Sequence, residues 1–213
     1  MHLNVSNKLK KKYNFSDDFL IGSILPDIYK KTIMTRDQSH FLKEVIVRKE
    51  SKVSLPDLER FMEENKNNNK DEVVLGYLVH LVEDYIWFRD YSTVYVIYCG
   101  QDKNGKEHFR YKKENYKVLH GEKHFITRIY SDYSYYDNIL SKEENLDLEN
   151  IKKITSKYLK NDKKSIDVIN ESVIIHDMGN INKTYFITKK DMDNYIKKSL
   201  KMSEEILDKF MNK

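Results

Sequence analysis

The 213-residue chain holds one cysteine, two prolines, six glycines and one tryptophan. A lone Cys99 excludes an intramolecular disulfide and fits a reducing compartment, and with no motif around it the residue reads as a small buried hydrophobe. No stretch approaches the roughly 18 consecutive apolar residues of a membrane span, and the opening MHLNVSNKLKKKY lacks the apolar run of a secretory signal. The expectation is a cytoplasmic protein without a transmembrane segment. An excess of one charge is also missing, since 38 Lys and Arg stand against 34 Asp and Glu. Nucleic acid is therefore not indicated, and the runs KLKKKY (8–13) and KKSLK (197–201) read as solvated helix faces. The chain also has no Gly-rich phosphate loop, Ser nucleophile elbow or Cys/His pair.

What is present is mostly helical spacing. Leu3, Leu9 and Tyr13 mark one amphipathic segment over 2–13. SDDFLIGSILPD (16–27) reads as a second, capped by Ser16 and stopped by Pro26, which leaves Asp27 just past a helix end. SLPDLERFMEEN (54–65) reads as a third, with a Ser cap and an early Pro. The segment from Asp71 is apolar on nearly every side, as expected of a helix enclosed by others. Helical spacing returns over 122–140, 143–159 and 189–212. STVYVIYCG, followed by DKNG, reads as a hairpin insertion over 92–118 with an Asn-Gly turn. A second hairpin is expected over 172–187. No repeat or linker divides the chain, so 1–213 reads as one mainly α domain, a helical bundle with one or two small β-hairpins.

GYLVHLVEDYIW (76–87) is the informative segment. His80 and Asp84 lie four residues apart and so share a helix face. Burying them costs several kcal/mol unless they are paired, hydrogen-bonded or bound to a cation. A His–Asp pair inside a bundle is one reading. A metal centre is the other, because helix-borne His and Asp from several segments are the usual way to build one in a bundle core. A chain of this length buries its core without a structural metal, so any ion would serve function.

Taken in order, MHLNVSN, ILPD, SHFLKE and LGYLVHLVEDYIW resemble the zinc-dependent phospholipase C family, whose helical fold is shared with the S1/P1 nucleases. The resemblance implies metal ligation by His2, Asp27, His40, His80 and Asp84. A further family His, about ten residues past the His of the central pair, is replaced here by Asp90. The family's second helical pair, His-x-x-x-Glu, is missing, and Asp132 in RIYSDYSYYDNIL is its nearest stand-in. One or two zinc ions are expected in place of three, with iron and manganese suited to the same nitrogen and oxygen donors. Asp27 is expected to double as general base.

The implied function is metal-dependent hydrolysis of a phosphoester, either a small molecule or a lipid headgroup. The alternatives are a non-catalytic helical binding protein that keeps the fold, and an S1/P1-like nuclease. Among the other polar residues, His108, His120, His124 and the His176–Asp177 dipeptide read as loop, hairpin or surface groups. Glu83, one position off the ligand face, is expected to bond to a neighbouring helix. Trp87 and the tyrosines after it read as core before they read as a pocket lining.

Overall fold

The computed structural model describes residues 1–47, 51–92, 96–101, 103, 107–111, 123–160, 162–169, 184 and 186–212. Among the described residues the fold is mainly α, with ten helices and two two-stranded antiparallel ribbons. Helix α1 (His2–Tyr13) buries Leu3, Val5 and Leu9 and ends at Asn14, whose φ of 58° gives a left-handed C-cap. Then follow α2 (Asp18–Gly22), α3 (Leu25–Thr32) and α4 (Arg36–Ser39). Pro26 stands in the first turn of α3 and so opens a helix instead of closing one; its missing N–H costs nothing there. Asp27 accordingly lies in a helix's first turn and not beyond a helix end. Ser16 is not the cap of α2, whose N-cap is Asp17.

A ribbon of β1 (Leu42–Val47) and β2 (Ser51–Pro56) follows α4, paired from Leu42 with Pro56 to Val47 with Ser51. The third helix expected from the sequence therefore starts late. Ser54 and Pro56 belong to β2, and Asp57 caps α5 (Leu58–Glu64) by accepting from the Arg60 N–H. Asp71 caps α6 (Glu72–Ile86) in the same way at Val73 and Val74. The end of α6 widens into a π-turn over Trp87–Ser92. There Trp87 and Tyr91 are buried, stacked on each other and edge-on to Tyr195, so these aromatics are core.

The expected hairpin insertion is formed by β3 (Val96–Gln101) and β4 (Glu107–Tyr111). Its Asn104-Gly105 turn, residues 172–183 of the second expected hairpin, His120, His176 and Asp177 lie outside the described residues. His108 falls in β4, and His124 falls in the next helix, α7 (Lys123–Glu143). The chain closes with α8 (Leu148–Tyr158), α9 (Lys163–Val168) and α10 (Lys189–Met211). A capping box of Thr188 and Asp191 starts α10, which buries Met192, Tyr195, Ser199, Ser203, Leu207 and Phe210 along one stripe.

Helix α6 is the central element. Leu75, Leu78, Val79, Leu81, Val82 and Ile86 are all buried, and α1, α2, α3, α5, α10 and β2 pack around it. Its closest neighbour is α2, because each helix presents a glycine to the other. A Cβ on Gly76 would stand 2.0 Å from the Phe19 carbonyl oxygen, and one on Gly22 would stand 2.0 Å from that of Val73. The lysines of the N-terminal run meet acidic partners on the surface: Lys8 and Lys11 at Glu144, Lys10 at Asp17 and Lys12 at Glu204. The run is thus a solvated face. No described helix is long and apolar enough to cross a membrane.

Overpacking a close helix crossing costs about 1–3 kcal/mol, and more where the obstacle is backbone. Gly76→Ala is therefore expected to lower stability by at least about 2 kcal/mol. Denaturant unfolding beside an exposed control, Lys70→Ala, measures it; equal midpoints for the two variants would show that the contact is not tight.

Candidate metal centre

Four elements deliver polar side chains to one place. His2 comes from the first turn of α1, Asp27 from the first turn of α3, His40 from the C-cap of α4, and His80 with Asp84 from one face of α6. His40 faces inward because the chain reverses directly after it. Phe41 takes φ 52°, a left-handed conformation that is uncommon for an aromatic residue and costs of order 1–3 kcal/mol. Packing offsets that cost. The Phe41 ring lies edge-on to Phe61 at 5.0 Å, and its carbonyl accepts from the Asp57 N–H at 2.9 Å.

His40 Nε2 is 3.3 Å from His80 Nε2, 3.3 Å from Asp27 Oδ1 and 3.6 Å from Asp84 Oδ2. His80 Nε2 is 3.9 Å from Asp27 Oδ1 and 4.0 Å from Asp84 Oδ2. His2 stacks on His80 with ring centroids 3.8 Å apart, and its Nε2 lies 3.7 Å from the other Asp84 oxygen, Oδ1. Two sets of donors could hold an ion: His2, Asp27 and His80, and His40, His80 and Asp84. His40 and His80 are fully enclosed, whereas Asp27, at 27 % exposed, marks the mouth beside the ammonium of Lys30.

The tautomers follow from the outer hydrogen bonds. His80 Nδ1 lies 2.8 Å from the Ser23 carbonyl, which can only accept, so Nδ1 carries the hydrogen and Nε2 the lone pair of the neutral ring. His40 Nδ1 lies 2.8 Å from Ser39 Oγ, whose own hydrogen goes to the Arg36 carbonyl. Tyr77 donates to the Ser39 carbonyl and braces that turn. The lone-pair positions of His40 Nε2, His80 Nε2, Asp27 Oδ1 and Asp84 Oδ2 thus converge on a space that needs protons or a cation. Donors around a tetrahedral zinc at about 2.0–2.2 Å lie roughly 3.3–3.6 Å apart, which is close to the separations found here. All donors are nitrogen or oxygen, a set suited to zinc and also to iron or manganese.

Burial and the neighbouring His2 imidazole hold His80 well below its usual pKa, so it is neutral. Burial opposes ionisation of Asp27, but His40, His80, Lys30 and His2 outweigh it and keep the carboxyl well below its normal range. Burial also works against charge on His2, and the Glu83 carboxylate, with Asp84 and Asp27, reverses this and raises the His2 pKa.

Asp132, expected in the cluster, and Asp90, which stands where the family has a further His, both lie outside the two donor sets. Asp90 forms a two-pronged pair with Arg89, both contacts at 2.7 Å, and lies 3.4 Å from Lys198. Asp132 is fully buried, and its Oδ2 accepts the N–H groups of Phe186 and Ile187 at 2.7 and 2.8 Å. With Tyr136, which donates to the Ile187 carbonyl, it ties α7 to the segment leading into α10. Sequence reasoning gave no role to Ser23 or Ser39. Ser39 adjoins His40 in the SHF motif, which was a usable signal, whereas nothing in the sequence marks the Ser23 carbonyl.

A helical fold that gathers imidazoles and carboxylates around one largely buried point has the arrangement of a metal centre built in a helical core. A family model described as zinc dependent phospholipase C matches residues 1–166, and the chain belongs to that family. Membership indicates a zinc-dependent, phospholipase C-like function. Neither a curated protein nor a solved structure matches the chain significantly.

Ligand nitrogens must shed their protons before an ion binds, so metal and acid compete. His2, whose pKa is raised, keeps its proton to higher pH than a free imidazole, and zinc binding at pH 7 is expected to release protons. The release shrinks as pH rises past the His2 pKa, and affinity falls as pH drops. Calorimetric titration in buffers of different ionisation enthalpy measures this; a buffer-independent heat at pH 7 would contradict it.

Proposed function

We propose that this chain is a zinc-dependent hydrolase of phosphoesters, acting on a lipid headgroup or a small phosphodiester. The observation that carries the reading is the approach of the His40 and His80 Nε2 atoms to 3.3 Å with the carboxylate oxygens of Asp27 and Asp84 beside them. His40, His80, Asp84 and Asp27 would hold the first ion. His80 has one free nitrogen and so serves one ion, whichever donor set it joins. Asp84 turns Oδ1 toward His2, and these two side chains would help to hold a second ion. When bound, zinc supplies Lewis acidity: it activates water near neutral pH and polarises a phosphoryl oxygen.

The protein's own contributions follow from position. Asp27, ionised across the neutral range, accepts a hydrogen bond from water at the mouth and orients it. Its low basicity suits it to this better than to storing a proton. Lys30 gives the mouth a positive charge complementary to phosphate. The enclosed histidines provide fixed donors that need little rearrangement when an ion binds, because their outer nitrogens are already tied.

Two measurements test the reading. Purified protein is expected to carry zinc and to hydrolyse bis(p-nitrophenyl) phosphate or release the phosphorylated headgroup of phosphatidylcholine. A chelator is expected to abolish turnover, and His80→Ala or Asp84→Ala to reduce it by two orders of magnitude or more, roughly the scale at which ordered metal-site contacts matter. A zinc-loaded protein inert toward both substrates would favour the non-catalytic alternative, and degradation of single-stranded nucleic acid alone would favour the nuclease one.

A further inference from the structure

Glu83 is completely buried one position from Asp84 on α6, and the hydrolase reading gives it no task. A carboxylate in such a setting is costly unless its oxygens are met. Tyr195 of α10 donates to Oε2 at 3.3 Å, whereas Oε1 has no hydrogen-bond partner among the described residues. The atom facing Oε1 is His2 Nδ1, 3.4 Å away and also without a hydrogen-bond partner. The opposite ring nitrogen of His2 is the one that faces Asp84. His2 therefore lies between two carboxylates, one outside the cluster and one inside it.

The other two histidines show the same pattern. The outer nitrogen of His80 is held by the Ser23 carbonyl and that of His40 by Ser39 Oγ, and each leaves Nε2 pointing inward. Metal-binding histidines usually give their second nitrogen to such a partner, often a carboxylate, which sets the tautomer and the ring orientation. On this pattern we propose that Glu83 is the positioning residue of His2, accepting its Nδ1–H so that Nε2 is aimed at the metal, with Tyr195 clamping the carboxylate. The proposal rests on the metal-centre reading. It gives α10, which lies beyond the residues matched by the family model, a direct part in the centre.

The experiment is a double-mutant cycle on the full chain. Zinc affinity is measured by competition with a chromophoric chelator for wild type, Glu83→Gln, His2→Ala and the double variant. Glu83→Gln keeps the shape of the side chain, so folding is preserved, and circular dichroism verifies it. Loss of an orienting partner typically costs 10–100-fold in metal affinity, and a loss of about 10-fold is expected for Glu83→Gln. Because Glu83 acts through His2, adding Glu83→Gln to His2→Ala is expected to cost nothing further. Nitrogen-15 spectra of zinc-loaded wild type are expected to show the His2 hydrogen on Nδ1. Unchanged affinity in Glu83→Gln, losses that add in the double variant, or a His2 hydrogen on Nε2 would each overturn the proposal. Failure of wild type to bind zinc would sink the metal centre itself, and is thus distinguishable.

Discussion

Helix α6 can bury His80 only if something receives its Nδ1–H, and the Ser23 carbonyl does so beside the tight crossing of α2 and α6. That crossing exists because Gly22 and Gly76 let two backbones touch where any Cβ would collide with a carbonyl. Much of the centre depends on this contact. It sets the rotation of the His80 ring, which is the platform for His2 and the neighbour of His40. The sequence around Gly76 is economical in this respect. Gly76 permits the approach, Tyr77 braces the His40 turn, His80 and Asp84 face the cluster, and Glu83 faces α1 and α10.

The centre is a compromise between charge and burial. Three imidazoles and the carboxylates of Asp27 and Asp84 share a largely enclosed volume, with Glu83 just outside it, and the pKa directions of His2, Asp27 and His80 record a balance of desolvation against neighbouring charge. The close approach of the His40 and His80 nitrogens to the carboxylates of Asp27 and Asp84 would be satisfied by a divalent cation, so acid and metal act in opposition. The same balance accounts for the engaged outer nitrogens of His40 and His80: a ring free to flip would let a proton occupy the inward position.

The enclosed character of α6 was legible in its sequence, because no face of the segment is polar enough to meet water. So was the helical nature of α1, α7, α8 and α10, where the apolar spacing is regular. The convergence of His2, Asp27, His40, His80 and Asp84 was legible through short motifs in the right order. Other features depend on tertiary context. Local sequence does not tell which role Pro26 and Pro56 take: the first opens a helix and the second ends a strand, and a proline's fixed φ suits both settings. The β1–β2 ribbon went unread although Val45, Ile46 and Val47 are β-branched, since the helical reading of 54–65 absorbed its second strand. Asp132 shares the apolar and acidic surroundings of a ligand, but its oxygen meets backbone N–H groups distant in sequence, which no local pattern reveals. The expected bond from Glu83 to a neighbouring helix is present at Tyr195; its approach to His2 depends on how α1 crosses α6.

The central claim is that imidazoles and carboxylates, without sulfur, hold a metal at the meeting point of α1, α3, α4 and α6. X-ray absorption at the zinc edge of the purified, zinc-loaded protein tests it most directly. The expected spectrum shows a shell of nitrogen and oxygen at about 2.0–2.2 Å, with the outer scattering of at least two imidazoles. A sulfur shell near 2.3 Å, or a spectrum without imidazole scattering, would contradict the claim.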